Sequence, residues 1–194
     1  MKTQKNNISQ QIQSEFEEHI LLAQRAATAL EKDILQAADL CVEAIRRGNK
    51  IFFFGNGGSA ADAEHLAAEF TGKYQMQRKG LPAISLTSDS AAITSIGNDF
   101  GFESVFSRQL EALAVKGDVC VGITTSGKSP NVTKALEKAK IMGCTTIGLT
   151  GKEGGDIVEF CNVAIIVPSD ITSRIQEIHI LAGHIICNLV ETRL

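Results

Sequence analysis

No stretch of the 194-residue sequence is apolar for long enough to cross a bilayer; the longest uninterrupted runs, such as residues 51–54, span only a few residues, against the roughly 18 a span needs. No excess of basic charge is present either: 19 Lys and Arg stand against 22 Asp and Glu, a net charge of −3, which excludes the basic footprint typical of nucleic-acid binders. The five cysteines are odd in number, no two lie closer than 17 residues, and no Cys-x-x-Cys or Cys/His spacing occurs. A disulfide framework and a zinc finger are thereby excluded, and reduced thiols in a cytosolic setting are expected. Cys120, between Val119 and Val121, reads as a small buried strand residue. The first seven residues are polar and lead into a charged segment without an apolar core, so no secretory signal is expected. Linkers, repeats and low-complexity segments are missing as well. What remains, 44% apolar and 21% charged residues, is the composition of one ordinary globular domain over residues 1–194.

Residues 8 to about 48 carry apolar positions at three- and four-residue steps: Ile8, Ile12, Phe16 and Ile20, then Leu30, Ile34, Leu35, Ala38, Cys41, Val42 and Ile45. Gly48 is the first glycine, so the periodicity predicts helix throughout. A break near Lys32 and Asp33 would give a helical hairpin over residues 1–48. The isolated stripe of its first helix would pack against another subunit, or lie on its own domain as a solvated helix. Beyond Gly48 the pattern changes. Strands are expected at 50–54, 83–87, 119–123, 144–149 and 163–167, and helices at 59–71, 89–97, 104–115, 130–142, 153–160 and 171–192. The strands are continuous apolar runs, the mark of burial on both faces. Strands separated by helices imply right-handed crossovers and a parallel sheet. The predicted fold is therefore a three-layer α/β sandwich with a five-stranded parallel sheet over residues 49–194, preceded by the helical hairpin.

Ligands of such sheets sit at the carboxyl ends of the strands, which directs attention to two loops. The first, Gly-Asn-Gly-Gly-Ser at 55–59, follows a strand and opens a helix with Ser59 as a natural cap. It matches neither the dinucleotide fingerprint nor the P-loop, and a tight turn accounts for it equally well. The second, Thr-Thr-Ser-Gly-Lys-Ser at 124–129, has Pro130 where a helix would begin. Four hydroxyls in six residues at a helix N-terminus exceed what a turn needs and suit the phosphate of a small molecule. His65 and Glu69 are spaced i,i+4 and share one helix face, fitting two metal ligands, a base with its neighbour, or a surface pair. In the last helix Gln176 and His184 lie about 80° apart and His179 about 140° from His184. Asn98 and Asp99 end a helix, where they suit either sugar hydroxyls or a capping turn.

Taken in order, these segments, with Thr71-Gly72, the Gly-Asn-Asp-Phe-Gly run at 97–101, the Leu-Thr-Gly-Lys run at 149–152 and the Arg-Ile-Gln-Glu-Ile-His run at 174–179, resemble the phosphoheptose isomerases of the sugar-isomerase (SIS) domain family over essentially the whole chain. The resemblance implies a flavodoxin-like strand order and a homotetramer with active sites between subunits. It also implies conversion of D-sedoheptulose 7-phosphate to D-glycero-D-manno-heptose 7-phosphate, the first step toward nucleotide-activated heptose for cell-envelope glycans. Matched position by position, Thr124, Thr125, Ser126 and Ser129 would hold the phosphate, and Asn56, Gly57, Gly58, Asn98, Asp99 and Gln176 would contact the sugar. Glu69 and His184 would form the catalytic pair. A zinc ion would be held by His65, Glu69, Gln176 and His184, with Glu69 also at the substrate. Three departures stand out: Thr124 replaces a frequent serine and keeps the hydroxyl, and Lys128 and Lys73 stand at positions that vary or carry arginine. Two rivals are a non-catalytic SIS tetramer that binds the replication initiator and an isomerase of another sugar phosphate.

Overall fold

The computed structural model describes residues 2–194, residues 2–7 by their backbone alone. Two helices, α1 (Lys2–Ala29) and α2 (Glu31–Arg46), precede an alternation of β1 (Ile51–Gly55), α3 (Gly58–Thr71), β2 (Ala83–Ser85), α4 (Ser90–Phe100), α5 (Val105–Leu113), β3 (Val119–Thr124), α6 (Pro130–Ile141), β4 (Thr145–Gly151), β5 (Val163–Val167) and α7 (Thr172–Glu191). The strands form one all-parallel sheet in the order β2-β1-β3-β4-β5, the expected three-layer sandwich in flavodoxin-like order. The segment expected as a short helix at 153–160 is a 3₁₀ stretch, Gly155–Phe160.

The two N-terminal helices meet differently from the expected hairpin. Their break falls at Leu30, whose N–H still donates to the Ala26 carbonyl, while the Ile34 N–H donates to the Leu30 carbonyl (both 2.9 Å). Helical hydrogen bonds thus cross the joint, and a single residue in helical conformation bends the chain without reversing it. Neither a glycine nor a proline stands at 30–34 to stop the helix sharply.

Strand residues alternate between two cores. Ile51 and Phe53 of β1, Val119, Val121 and Ile123 of β3 and Ile147 of β4 face α2, α3 and α7. Phe52 and Phe54 of β1 and Cys120 of β3 face α5 and α6. Because both sheet faces are covered, every residue of β1 and β3 is buried, which is why these strands read as unbroken apolar runs. Among the described residues, no helix is long and apolar enough to cross a membrane, and all five cysteines are free.

The amino ends of the two central strands are tied by Asp118, which is fully buried. Its carboxylate accepts the backbone N–H of Lys50 (3.0 Å) and of Val115 (2.8 Å) and meets the Lys50 ammonium at 2.8 Å. Burial alone pushes this carboxyl up; the hydrogen bonds from Lys50, Val115 and Asn49 outweigh it and hold it below its ordinary value. Asp118→Ala removes an acceptor that several donors share, so chemical denaturation at pH 7 should show a loss of about 2–4 kcal/mol. A carboxyl with a lowered folded value stabilises above its unfolded value of about 3.9 and loses that contribution as pH falls through the folded one. The gap between wild type and variant should therefore narrow below about pH 4.

Candidate active site

β1 and β3 are neighbours, yet the chain leaves β1 toward β2 on one side and β3 toward β4 on the other. Strand order reverses between them, and a crevice opens at their carboxyl ends. A cavity of about 340 Å³ lies there. Asn56, Gly57, Gly58 and Ser59 form one wall, and Thr124, Thr125, Ser126 and Ser129 the other. Gln176 and Thr172, from the start of α7, close it.

The hydroxyls converge. Thr124 Oγ1 lies 2.9 Å from Ser129 Oγ and 3.5 Å from Ser126 Oγ, and Pro130 starts α6 directly behind them. An anion at this point meets hydroxyl donors and the positive end of a 12-residue helix. Asn56 and Asn131 lock the two loops together through reciprocal amide hydrogen bonds of 2.8 Å each. Sequence reasoning missed Asn131; its one signal is an amide in the first turn of α6, where an exposed helix has no use for a buried polar group. Gly58 is needed for the third wall, since a Cβ there would collide with the Gln176 amide.

A second cluster sits further along the same two helices. His65 Nε2 lies 3.1 Å from Glu69 Oε1 and 3.1 Å from His184 Nε2. The rings of His65 and His184 are 4.9 Å apart. α3 and α7 can approach this closely because Gly183 faces Leu66, where a Cβ would fall 2.6 Å from Leu66 Cδ2. Among the described residues this is the one group of three His, Cys, Asp or Glu whose ligand atoms all lie within 4.8 Å of one another. Burial pushes the His184 imidazole below its ordinary value, the neighbouring His65 adds to this, and Glu69 partly offsets it.

The donor chemistry of this cluster fits a cation. His65 Nε2 carries at most one proton, yet both the Glu69 oxygen and His184 Nε2 stand at hydrogen-bond distance from it. One turn earlier on α3, Asp62 keeps a buried carboxylate oxygen without a hydrogen-bond partner, and burial pushes that carboxyl up while His65 draws it down. Two imidazoles and a carboxylate form a donor set suited to zinc. Gln176 lies two turns before His184 on α7, so one helix face runs from the cavity to the cluster.

The remaining expected residues lie elsewhere. His179, left unassigned by spacing, is buried with Nε2 3.0 Å from the Thr150 carbonyl; burial drives its pKa down to about 4, so it is a neutral structural donor. Asn98 and Asp99, at the end of α4, are exposed, joined by one hydrogen bond of 2.8 Å, and outside the cavity lining. Lys73 is exposed beyond α3.

Comparison with known proteins adds identity to this geometry. The pattern of the SIS domain matches residues 16–151. The phosphoheptose isomerase of a Nitratiruptor species is 52% identical over 93% of this chain and 96% of its own length. The phosphoheptose isomerase of Helicobacter pylori is 50% identical over 93% and 94%. Among solved structures, the phosphoheptose isomerase GmhA of Neisseria gonorrhoeae superposes with a TM-score of 0.91 at 42% identity, covering 95% of this chain and 99% of its own. That of Francisella tularensis gives 0.92 at 37% identity, covering 95% and 98%. With cradle, histidine cluster and strand order all accounted for, the chain belongs to the SIS-domain family and, within it, to the phosphoheptose isomerases.

Proposed function

We propose that the chain interconverts D-sedoheptulose 7-phosphate and D-glycero-D-manno-heptose 7-phosphate through an enediol, feeding nucleotide-activated heptose for envelope glycans. The observation that carries this reading is the placement of a hydroxyl-lined anion pocket and a His/Glu cluster along one face shared by α3 and α7. A sugar phosphate anchored at one end presents its far end, C1 and C2, toward the other.

Thr124, Thr125, Ser126 and Ser129 hold the phosphate in this reading. Asn56, Gly57, Gly58 and Gln176 orient the sugar, and Asn98 and Asp99 are assigned to it on their short polar side chains alone. Glu69 takes the proton from C1 of the ketose and returns it to C2. His184 gives a proton to O2 and takes one from O1, so the two transfers balance and the enediol forms and collapses without net charge. A histidine held below its ordinary value is neutral near pH 7 and offers one nitrogen as donor and one as acceptor. Partial burial of Glu69 keeps water from competing for the abstracted proton.

His65, Glu69, Gln176 and His184 would hold a zinc ion, whose chemistry there is polarisation of a carbonyl or enediolate oxygen. A carboxylate has two oxygens, so Glu69 can bind through one and act as base through the other. A homotetramer is supported by α1, where Ile8, Ile12, Phe16 and Ile20 form a stripe 52–67% exposed to solvent. An apolar stripe of that length facing water calls for a partner, and a second copy of the same helix supplies a matching face.

Three outcomes are expected. Glu69→Gln should lower turnover of sedoheptulose 7-phosphate by about 10³-fold or more while gel filtration shows the assembly unchanged; near-normal activity would remove Glu69 from its role. Protein stripped by a chelator should lose activity and regain it with added zinc, whereas full activity after stripping would leave the metal without a catalytic part. Phe16→Glu should shift the sedimentation coefficient to a smaller species, because a charge on the stripe cannot be buried unpaired. No turnover from the folded wild-type chain, with or without zinc, would overturn the isomerase reading in favour of a binding protein.

A further inference from the structure

After α3 the chain runs through residues 72–82 without helix or strand, yet part of this segment is firmly pinned. Glu191, the last residue of α7, has a fully buried side chain. Its carboxylate accepts the backbone N–H groups of Tyr74 (3.1 Å), Gln75 (2.7 Å) and Met76 (2.8 Å) and pairs with Arg78 Nε at 2.9 Å. The same guanidinium donates through Nη1 to the Phe70 carbonyl and through Nη2 to the Glu69 carbonyl, both at 2.9 Å. One carboxylate therefore gathers the loop, the end of α7 and the backbone of Glu69. Such a buried ionic hub is costly to desolvate, and three backbone N–H groups and an ion pair on one carboxylate hold the loop in a single arrangement.

That arrangement places the Tyr74 ring on the imidazole of His184, with centroids 5.4 Å apart and planes 30° from parallel. The other neighbour of the imidazole is His65, tilted at 59°. His184 is thus held between a face-on tyrosine and an inclined histidine. We propose that Tyr74 is a positioning residue for His184, fixing the plane of its imidazole so that Nε2 points to His65 and Glu69, and that the Glu191–Arg78 hub holds Tyr74 in place. The inference rests on the reading of His184 as the acid/base of the isomerisation. It concerns the ring face of Tyr74, since no hydrogen bond of its hydroxyl contributes to the argument.

The composition supplies a direct probe. Tyr74 is the sole tyrosine and tryptophan is absent, so the tyrosine emission of the intact protein reports Tyr74 alone. Stacking on an imidazole quenches that emission. His184→Ala should raise it, and Glu191→Gln should raise it as well by freeing the loop, with far-UV circular dichroism unchanged. In steady-state assays with sedoheptulose 7-phosphate, Tyr74→Ala should lower kcat by about 10- to 100-fold through misplacement of the acid/base group while KM stays within about two-fold. Tyr74→Phe, which keeps the ring, should restore kcat to within about three-fold of wild type. Emission indifferent to His184→Ala would show that the rings do not stack. Unchanged kcat in Tyr74→Ala, failure of Tyr74→Phe to restore it, or a rise confined to KM would each overturn the positioning role. A wild-type chain without turnover would sink the isomerase reading itself, and the emission arm would still decide whether the rings stack.

Discussion

The contact of α3 with α7 is the constraint on which the site depends. Each helix contributes a glycine to it: Gly58 makes room for the Gln176 amide, and Gly183 lets Leu66 come against the backbone of α7. A Cβ at Gly58 would displace the Gln176 amide at the cavity end of the site, and one at Gly183 would displace the Leu66 side chain at the histidine end. His184 reaches His65 only across this narrow gap, and Gln176 closes the anion cavity only from the same side. The close packing also explains the division of labour among the α7 histidines. His179, on the opposite face of α7, is used up in holding the Thr150 carbonyl of β4, so α7 is fastened to the sheet by one histidine and presents another to His65.

The cavity suits an anion without a cation of its own: its lining is mainly hydroxyls, amides and backbone. The physical reason this suffices is the coincidence of a strand end with a helix start. Pro130 takes the position where an N–H would be unsatisfied, and the positive end of the α6 dipole lies at the cavity wall. Asn131, 2% exposed and paired with Asn56, then keeps the β1 loop at a fixed distance from the β3 loop. A pocket built in this way depends on backbone direction more than on side-chain charge, which is why Thr124 can replace a serine there without loss of the hydroxyl that touches Ser129.

Much of this is legible in the sequence because it depends on local pattern. β1 and β3 read as apolar runs since both their faces are covered, and the hydroxyl-rich loop declares itself by composition at 124–129. The i,i+4 spacing of His65 and Glu69 puts the pair on one helix face, whereas spacing leaves the choice between the two histidines of α7 open until burial decides it. The rest depends on contacts remote in sequence. Glu191 lies 115 to 117 positions from the N–H groups it accepts, and no periodicity marks it. The sequence pattern suggests a break near Lys32 and Asp33 without giving its angle, so a hairpin is expected where the chain only bends, at Leu30. Asn98 and Asp99 carry a plausible chemistry by type, but a helix end exposed to solvent and outside the cavity offers no partner within the single chain.

The N-terminal helix is joined to α7 by charge and carries its exposed apolar stripe on a different face. Glu15, Glu18 and His19 turn toward α7, where Arg174 pairs with Glu15, Glu18 and Glu177 and His19 meets Glu177 at 2.7 Å. Arg174 is only 8% exposed, so this cluster is a partly buried network, stronger than isolated surface pairs. It grips α7 two residues before Gln176. Leu22 and Ala26, further along α1, are buried against the domain, while Ile12 and Phe16 face outward. Arg174, with its three carboxylate partners Glu15, Glu18 and Glu177, therefore ties α1 to α7 beside the residue whose amide closes the anion cavity.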